Sequence, residues 1–318
     1  MSRMAEKLLR RLEFTVLRRL DGLLHGDYRT LFRGYGLDLA DLREYQFHDD
    51  VRHIDWNVTA RMDTPYVRDF HEDREMSAWF LLDLSASVDF GSGEVTKRTL
   101  SVDFVTVMAR LLTGHGNRVG GIFYSDRIDR VLPARGGRRH VLGMVDAMLA
   151  PRLVRGSTTT RLEDLLAQAA RIIPRRSVVF VVSDFLSEPG WAAAMQRLTH
   201  RHEVVGVRLY DPLELALPDL GMVVMQDAET GEQLFVDTHD KGFRRRFEVQ
   251  ALARESALQD AFAEAGIDAF ELATDEPMAD AVIRFSELRK MRGRLGAGGV
   301  RGGRGPATSL ATAPAAGG

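Results

Sequence analysis

The chain has no cysteine among its 318 residues. That absence removes disulfide staples, thiolate metal sites and cysteine nucleophiles, and it fits a reducing, cytoplasmic setting better than an extracellular one. Also missing is any run of about 18 uncharged apolar residues, so no segment reads as a spanning helix. Charge of one sign is lacking too: 43 Lys and Arg stand against 45 Asp and Glu. The balance leaves no global positive field to argue for a specific nucleic-acid partner. The pattern GxxxxGK[ST] does not occur, so the protein is not itself a P-loop ATPase. No repeat of solenoid period is visible.

What remains is 45% hydrophobic and 28% charged, the balance of a soluble globular protein long enough for one large α/β domain or two modest ones. Residues 4–24 repeat leucine and phenylalanine at three- and four-residue spacing, which predicts a basic amphipathic helix. Such a helix packs on the domain or on a partner, or rests as a peripheral contact on a membrane surface. Residues 35–74 are polar and aromatic without a clean helical period. From 79 onward the pattern alternates. Buried strands are predicted at 79–84, 118–125, 128–132, 177–185 and 203–210, and helices at 96–112, 138–149, 162–173 and 189–200. Strand-helix alternation means a mostly parallel sheet covered on both faces. An edge hairpin is expected at 223–225 and 233–236, closing helices at 243–265 and 278–292, and a last strand near 269–272. Beyond Arg292 the composition turns glycine- and alanine-rich with no acidic residue, which reads as a disordered tail. Its RGGRG piece is at most a weak nucleic-acid contact.

Ligands of such sheets bind beyond the carboxyl ends of the strands. Asp83 leaves one predicted strand there, followed by Ser85 and Ser87, and Asp184 leaves another. Between them in sequence lies a hydroxyl loop, Ser157 to Thr160. Two carboxylates with three hydroxyls make an oxygen-only donor set suited to a hard divalent ion, Mg²⁺ or Mn²⁺. Each part alone has a bland reading, since a serine after a strand is usually a helix cap and an aspartate there usually holds a loop. The order of all the parts together points to metal.

These residues also carry a resemblance. DLSAS, the threonine loop and the later SDF are similar to the metal-ion-dependent adhesion site of von Willebrand factor A domains. The longer segment from Gly36 to Gly91, with IDWNVTAR and DLSAS, resembles the bacterial domain-of-unknown-function fifty-eight family. The resemblance implies a Rossmann-like von Willebrand factor A-type sheet flanked by helices, preceded by an N-terminal helix and a polar segment. Three parts follow: residues 1–75, a metal-bearing domain at 76–292, and a tail at 293–318. It further implies that Ser85 and Ser87 ligate the metal directly while Asp83 and Asp184 act through bound water. Thr160 falls where the family loop has its threonine, with Thr158 the alternative, although Arg161 replaces the acidic residue expected next. His48 likewise stands where a glycine is expected. Genes of the family commonly neighbour MoxR-type AAA+ ATPases, so the implied partners are such an ATPase and a client protein.

A binding module without catalytic activity is therefore the expected function. The rival is a metal-dependent phosphohydrolase using Asp83 as nucleophile. Against it, Ser85 stands where aspartyl-phosphate enzymes carry a second acid, and no lysine follows the middle strand. A purely structural scaffold is the third reading. His53 with Asp49, Asp50 and Asp55 matches no ligand spacing, and ion-paired packing accounts for these residues as well. The arginines at 135, 138, 139, 152 and 155 read as a solvated face or a contact for an acidic partner.

Overall fold

A computed structural model describes residues 3–17, 20, 41–46, 51, 54, 56–62, 64–69, 77–150, 160–226 and 232–298. The mostly parallel sheet is present. Its strands are β3 (Ser77–Asp83), β4 (Arg118–Tyr124), β5 (Ile128–Arg135), β6 (Val178–Ser183), β7 (Glu203–Tyr210) and β10 (Asp268–Ala273). They lie in the order β10-β7-β6-β3-β4-β5. All neighbours are parallel except β4 and β5, which pair antiparallel at one edge.

This order fixes where a site can form. From β3 the chain adds strands outward on one side, β4 then β5, and afterwards returns to add β6, β7 and β10 on the other. The connections leaving β3 and β6 therefore diverge, opening a crevice at their carboxyl ends.

Every residue of β6 is buried, as are six of the seven in β3. Continuous apolar runs are what a strand covered on both faces requires, and each fully buried valine or phenylalanine contributes roughly 1.5–3 kcal/mol. One face packs Phe80, Leu82, Phe180 and Val182 against helices α1 (Arg3–Leu12), α3 (Lys97–Gly114), α4 (Arg138–Leu149) and α8 (Met278–Gly298). The other packs Trp79, Leu81, Val179 and Val181 against α5 (Leu162–Ile172), α6 (Trp191–Thr199) and the end of α7 (Lys241–Ala265). Gly120 is required where β4 passes Trp79, because a Cβ there would meet the indole ring at 2.8 Å.

Several expectations change. The amphipathic start forms α1 and a π-helical turn, Glu13–Leu17. Leu9, Leu12, Val16 and Leu17 are buried in the domain core, and Arg11 pairs with Asp103 at 2.9 Å. The domain thus covers that face, leaving Met4 and Phe14 as its exposed large apolar residues. The polar segment contains a two-stranded antiparallel pair, β1 (Asp41–Glu44) with β2 (Tyr66–Asp69), around a short helix α2 (Trp56–Met62). Strands β8 (Met222–Gln226) and β9 (Gln233–Asp237) do form a hairpin, but it is a separate sheet and not an edge of the main one. Its ladder is only five pairs long, and the main-sheet edges are taken by β5 and β10. Helix α8 continues past Arg292 to Gly298, because arginine, leucine and alanine among the glycines still favour the helix. Residues 299–318, the rest of the tail, lie outside the described residues, as do His48, His53, Asp49, Asp50 and Asp55. Among the described residues no helix is long and apolar enough to cross a membrane.

Candidate metal centre

Parallel register sets Leu82 beside Val182, so Asp83 and Ser183 finish neighbouring strands side by side. Ser183 Oγ donates to Asp83 Oδ2 at 2.6 Å, and the Ser85 amide donates to Asp83 Oδ1 at 3.0 Å. Both ends of the Asp83 carboxylate are thereby aimed by the backbone geometry of β3 and β6. Ser85 and Ser87 open a 3₁₀ turn, and their hydroxyls face one another at 3.1 Å. Asp184 follows β6 immediately, its Oδ1 receiving the Leu186 amide at 3.1 Å.

The next residue, Phe185, has φ 58°, a left-handed conformation that disfavours a bulky side chain. Its ring is clamped between Trp191 and Phe262, with centroids 5.0 and 4.9 Å away, and its amide donates to Ser183 Oγ at 2.9 Å. Aromatic packing on one sheet face thus offsets the strain of the turn that follows Asp184.

Thr160 reaches the same end of the sheet through its backbone. Its carbonyl accepts from Ser187 Oγ at 2.9 Å and from the Glu188 amide at 3.1 Å, tying the hydroxyl loop to the loop after Asp184. Tyr124, paired with Asp83 across β3 and β4, donates to the Arg161 carbonyl at 3.0 Å. Thr160 is buried, whereas Arg161 lies at the rim beside Asp164 and Glu188. Thr158 lies outside the described residues.

Asp83, Ser85, Ser87, Thr160 and Asp184 are all buried. Burial first, and the charge of Asp184 second, push the Asp83 carboxyl up to about 6 against the hydrogen bonds from Ser183 and Ser85. A buried carboxylate whose ionised form a neighbouring charge disfavours is what a cation relieves.

Over this region, residues 41–257 match the family described as "Protein of unknown function DUF58". An uncharacterized protein of Mycobacterium tuberculosis is 37% identical over 291 residues, covering 90% of each chain. The chain belongs to the DUF58 family. A shorter uncharacterized protein of Mycobacterium avium is 33% identical over 168 residues, 52% of this chain and 96% of that one. Solved structures similar to this DUF58 chain include the conserved hypothetical protein BatB from Bacteroides thetaiotaomicron, with a TM-score of 0.44 and 13% identity over 69% of this chain and 99% of that one. Another is the SpRpn10 VWA domain, with a TM-score of 0.38 and 14% identity over 66% and 94%.

The donor set of this DUF58 site fits a hard divalent ion. Each carboxylate oxygen of Asp83 and Asp184 already accepts one protein donor and keeps a second lone pair for a bound water. The Ser85 and Ser87 hydroxyls meet each other at 3.1 Å and would be the direct ligands. Among the described residues no cluster of three His, Cys, Asp or Glu side chains has metal-holding geometry, so hydroxyls would have to complete the set.

Four residues at this end of the sheet lie outside the set that the sequence predicts. Ser183 was visible only as a strand end. Asp211 and Glu214 form a capped turn after β7. Lys97, wholly buried, donates to Asp184 Oδ2 at 2.7 Å and to Glu214 Oε1 at 2.6 Å. The middle strand β6 has no such lysine after it, as read; this one comes from the first turn of α3 instead. Its partners are 87 and 117 residues away, and no local pattern marks it.

Proposed function

We propose that this chain is a metal-dependent protein-binding module, an adaptor that joins a MoxR-type AAA+ ATPase to a client protein in the cytoplasm. The single observation that carries the reading is the pair of buried serine hydroxyls, Ser85 and Ser87, meeting at 3.1 Å beside two carboxylates of which one is held at about 6. Ser85, Ser87 and Thr160 would hold Mg²⁺ or Mn²⁺, with Asp83 and Asp184 acting through water. When bound, the ion supplies a Lewis-acidic position that a carboxylate of the partner can fill. The residues themselves orient the hydroxyls, exclude bulk solvent and keep both carboxylates fixed. The ATPase assignment rests on family resemblance.

A phosphohydrolase would need Asp83 free to attack. Here the side chain is wholly buried and both oxygens accept hydrogen bonds, which supports binding over nucleophilic chemistry.

Ser85→Ala removes one ligand without opening a core cavity. Titration of the purified ATPase against wild type in Mg²⁺ should therefore show binding at least tenfold tighter than Ser85→Ala or chelated wild type, while unfolding free energy stays within about 1 kcal/mol. Equal affinity in all three samples refutes the reading.

A further inference from the structure

Lys97 is an expensive residue to place where it is. Its ammonium is fully enclosed, and its backbone occupies the first position of α3, where the exposed amides of a helix start already make the field positive. Burial disfavours such a charge, and the carboxylates of Asp184 and Glu214, 2.7 and 2.6 Å from Nζ, compensate it. The Phe90 ring lies 5.8 Å from Nζ. A lysine at this site is therefore enclosed and committed to a carboxylate of the candidate metal centre.

We propose that Lys97 is the resident cation of the site, a positioning residue that occupies one oxygen of Asp184 and keeps the affinity for a divalent ion low. The inference rests on the metal-site reading above. Its physical content is competition for one negative charge. A fixed ammonium 2.7 Å from Asp184 Oδ2 spends part of the field that would otherwise attract a second cation, in surroundings where water screens little. The same contact explains how two neighbouring carboxylates persist in a folded site before any metal arrives, since Lys97 compensates one of them. Glu214 shares the ammonium and is itself held by the turn, its Oε2 accepting from the Asp211 amide at 3.1 Å. The lysine is therefore fixed from two sides and cannot swing out to make way.

The test uses the full chain with Mn²⁺ and Mg²⁺ as probes, titrated by calorimetry and by the electron paramagnetic resonance of free Mn²⁺. Lys97→Met should bind Mn²⁺ at least tenfold more tightly than wild type while unfolding more easily, a combination that a purely structural role does not produce. Because that variant leaves Glu214 without its partner and can fail to fold, the decisive sample is Lys97→Met with Glu214→Gln, which removes both charges of the pair and leaves the net charge unchanged. Tighter Mn²⁺ binding by the double variant supports the proposal, since a long-range charge effect alone would cancel. Affinity equal to or weaker than wild type overturns it. The wild-type titration judges the metal-site reading separately: binding only after Lys97 is replaced would sustain the resident cation and refute metal dependence of the natural protein, and no binding in any sample refutes both.

Discussion

Two aspartates stand at the carboxyl ends of parallel strands, Asp83 as the last residue of β3 and Asp211 just after β7, and both are completely buried. Their surroundings differ in the number of donors. Asp211 accepts from the Ser92 amide and hydroxyl at 2.8 and 2.9 Å, from the Thr274 hydroxyl at 2.7 Å and from the Leu213 amide at 2.9 Å. Burial pushes its carboxyl up, but these bonds more than offset it and hold the group below its ordinary value. Asp83 accepts only from Ser183 and Ser85 among the described residues, has a like charge nearby, and is pushed up to about 6. The difference separates a carboxylate that finishes a fold from one that is left short of positive charge. Asp211 stitches the loop before α3, the capped turn after β7 and the end of β10 into one piece. Asp83 leaves work for something from outside.

The comparison is most exposed to failure at Asp211. Asp211→Ala strands several buried donors, and urea unfolding should show a loss of about 3 kcal/mol; a loss below 1 kcal/mol would mean that the clamp is decorative. A half-buried carboxylate, Asp103, adds a further case, since burial raises it to about 6 and its Arg11 partner only partly offsets this. A folded-state value above the unfolded 3.8 means that the native state holds the proton more tightly. That stabilisation is complete below the unfolded value and is lost as pH rises from 3.8 to about 6. Relative to wild type, Asp103→Asn should therefore gain on the order of 2 kcal/mol between pH 4 and 7, after allowance for partial solvent screening. Parallel stability curves for the two proteins would refute the shift. The smallest effect is expected at Asp83 itself. Without metal, Asp83→Asn relieves repulsion from Asp184, so thermal unfolding in chelator should change by less than about 1 kcal/mol and in the stabilising direction. A loss matching that of Asp211→Ala would erase the distinction between the two aspartates.

Much of this was legible before any coordinates. Helix α4 and strand β7 begin and end where the sequence pattern puts them, because a fully buried strand or a one-faced helix writes its environment into consecutive residues. Asp83, Ser85, Ser87 and Asp184 were legible for a related reason: each sits next to a strong strand end, and parallel topology brings strand ends together. Lys97, Ser183 and Asp211 were not. A lysine on the first turn of a helix is ordinarily solvated, and only the return of β6 and β7 beside β3 turns it inward. The separate β8-β9 hairpin was misplaced because alternation reveals a strand but not the sheet it joins. The π-helical turn after α1 was likewise invisible, since its apolar spacing mimics a continued α-helix.

The left-handed backbone at Phe185 has a consequence for transplanting this site. A designer copying DLSAS, the threonine loop and SDF onto another α/β scaffold would carry every candidate ligand and still lose the turn whose Leu186 amide donates to Asp184. That turn is uphill for a phenylalanine and is kept in place by Trp191 and Phe262, which belong to α6 and α7. Glycine at 185 would ease the backbone but abandon the aromatic clamp. The portable unit is therefore larger than its motif: it ends where two helices on the far side of the sheet stop touching one ring.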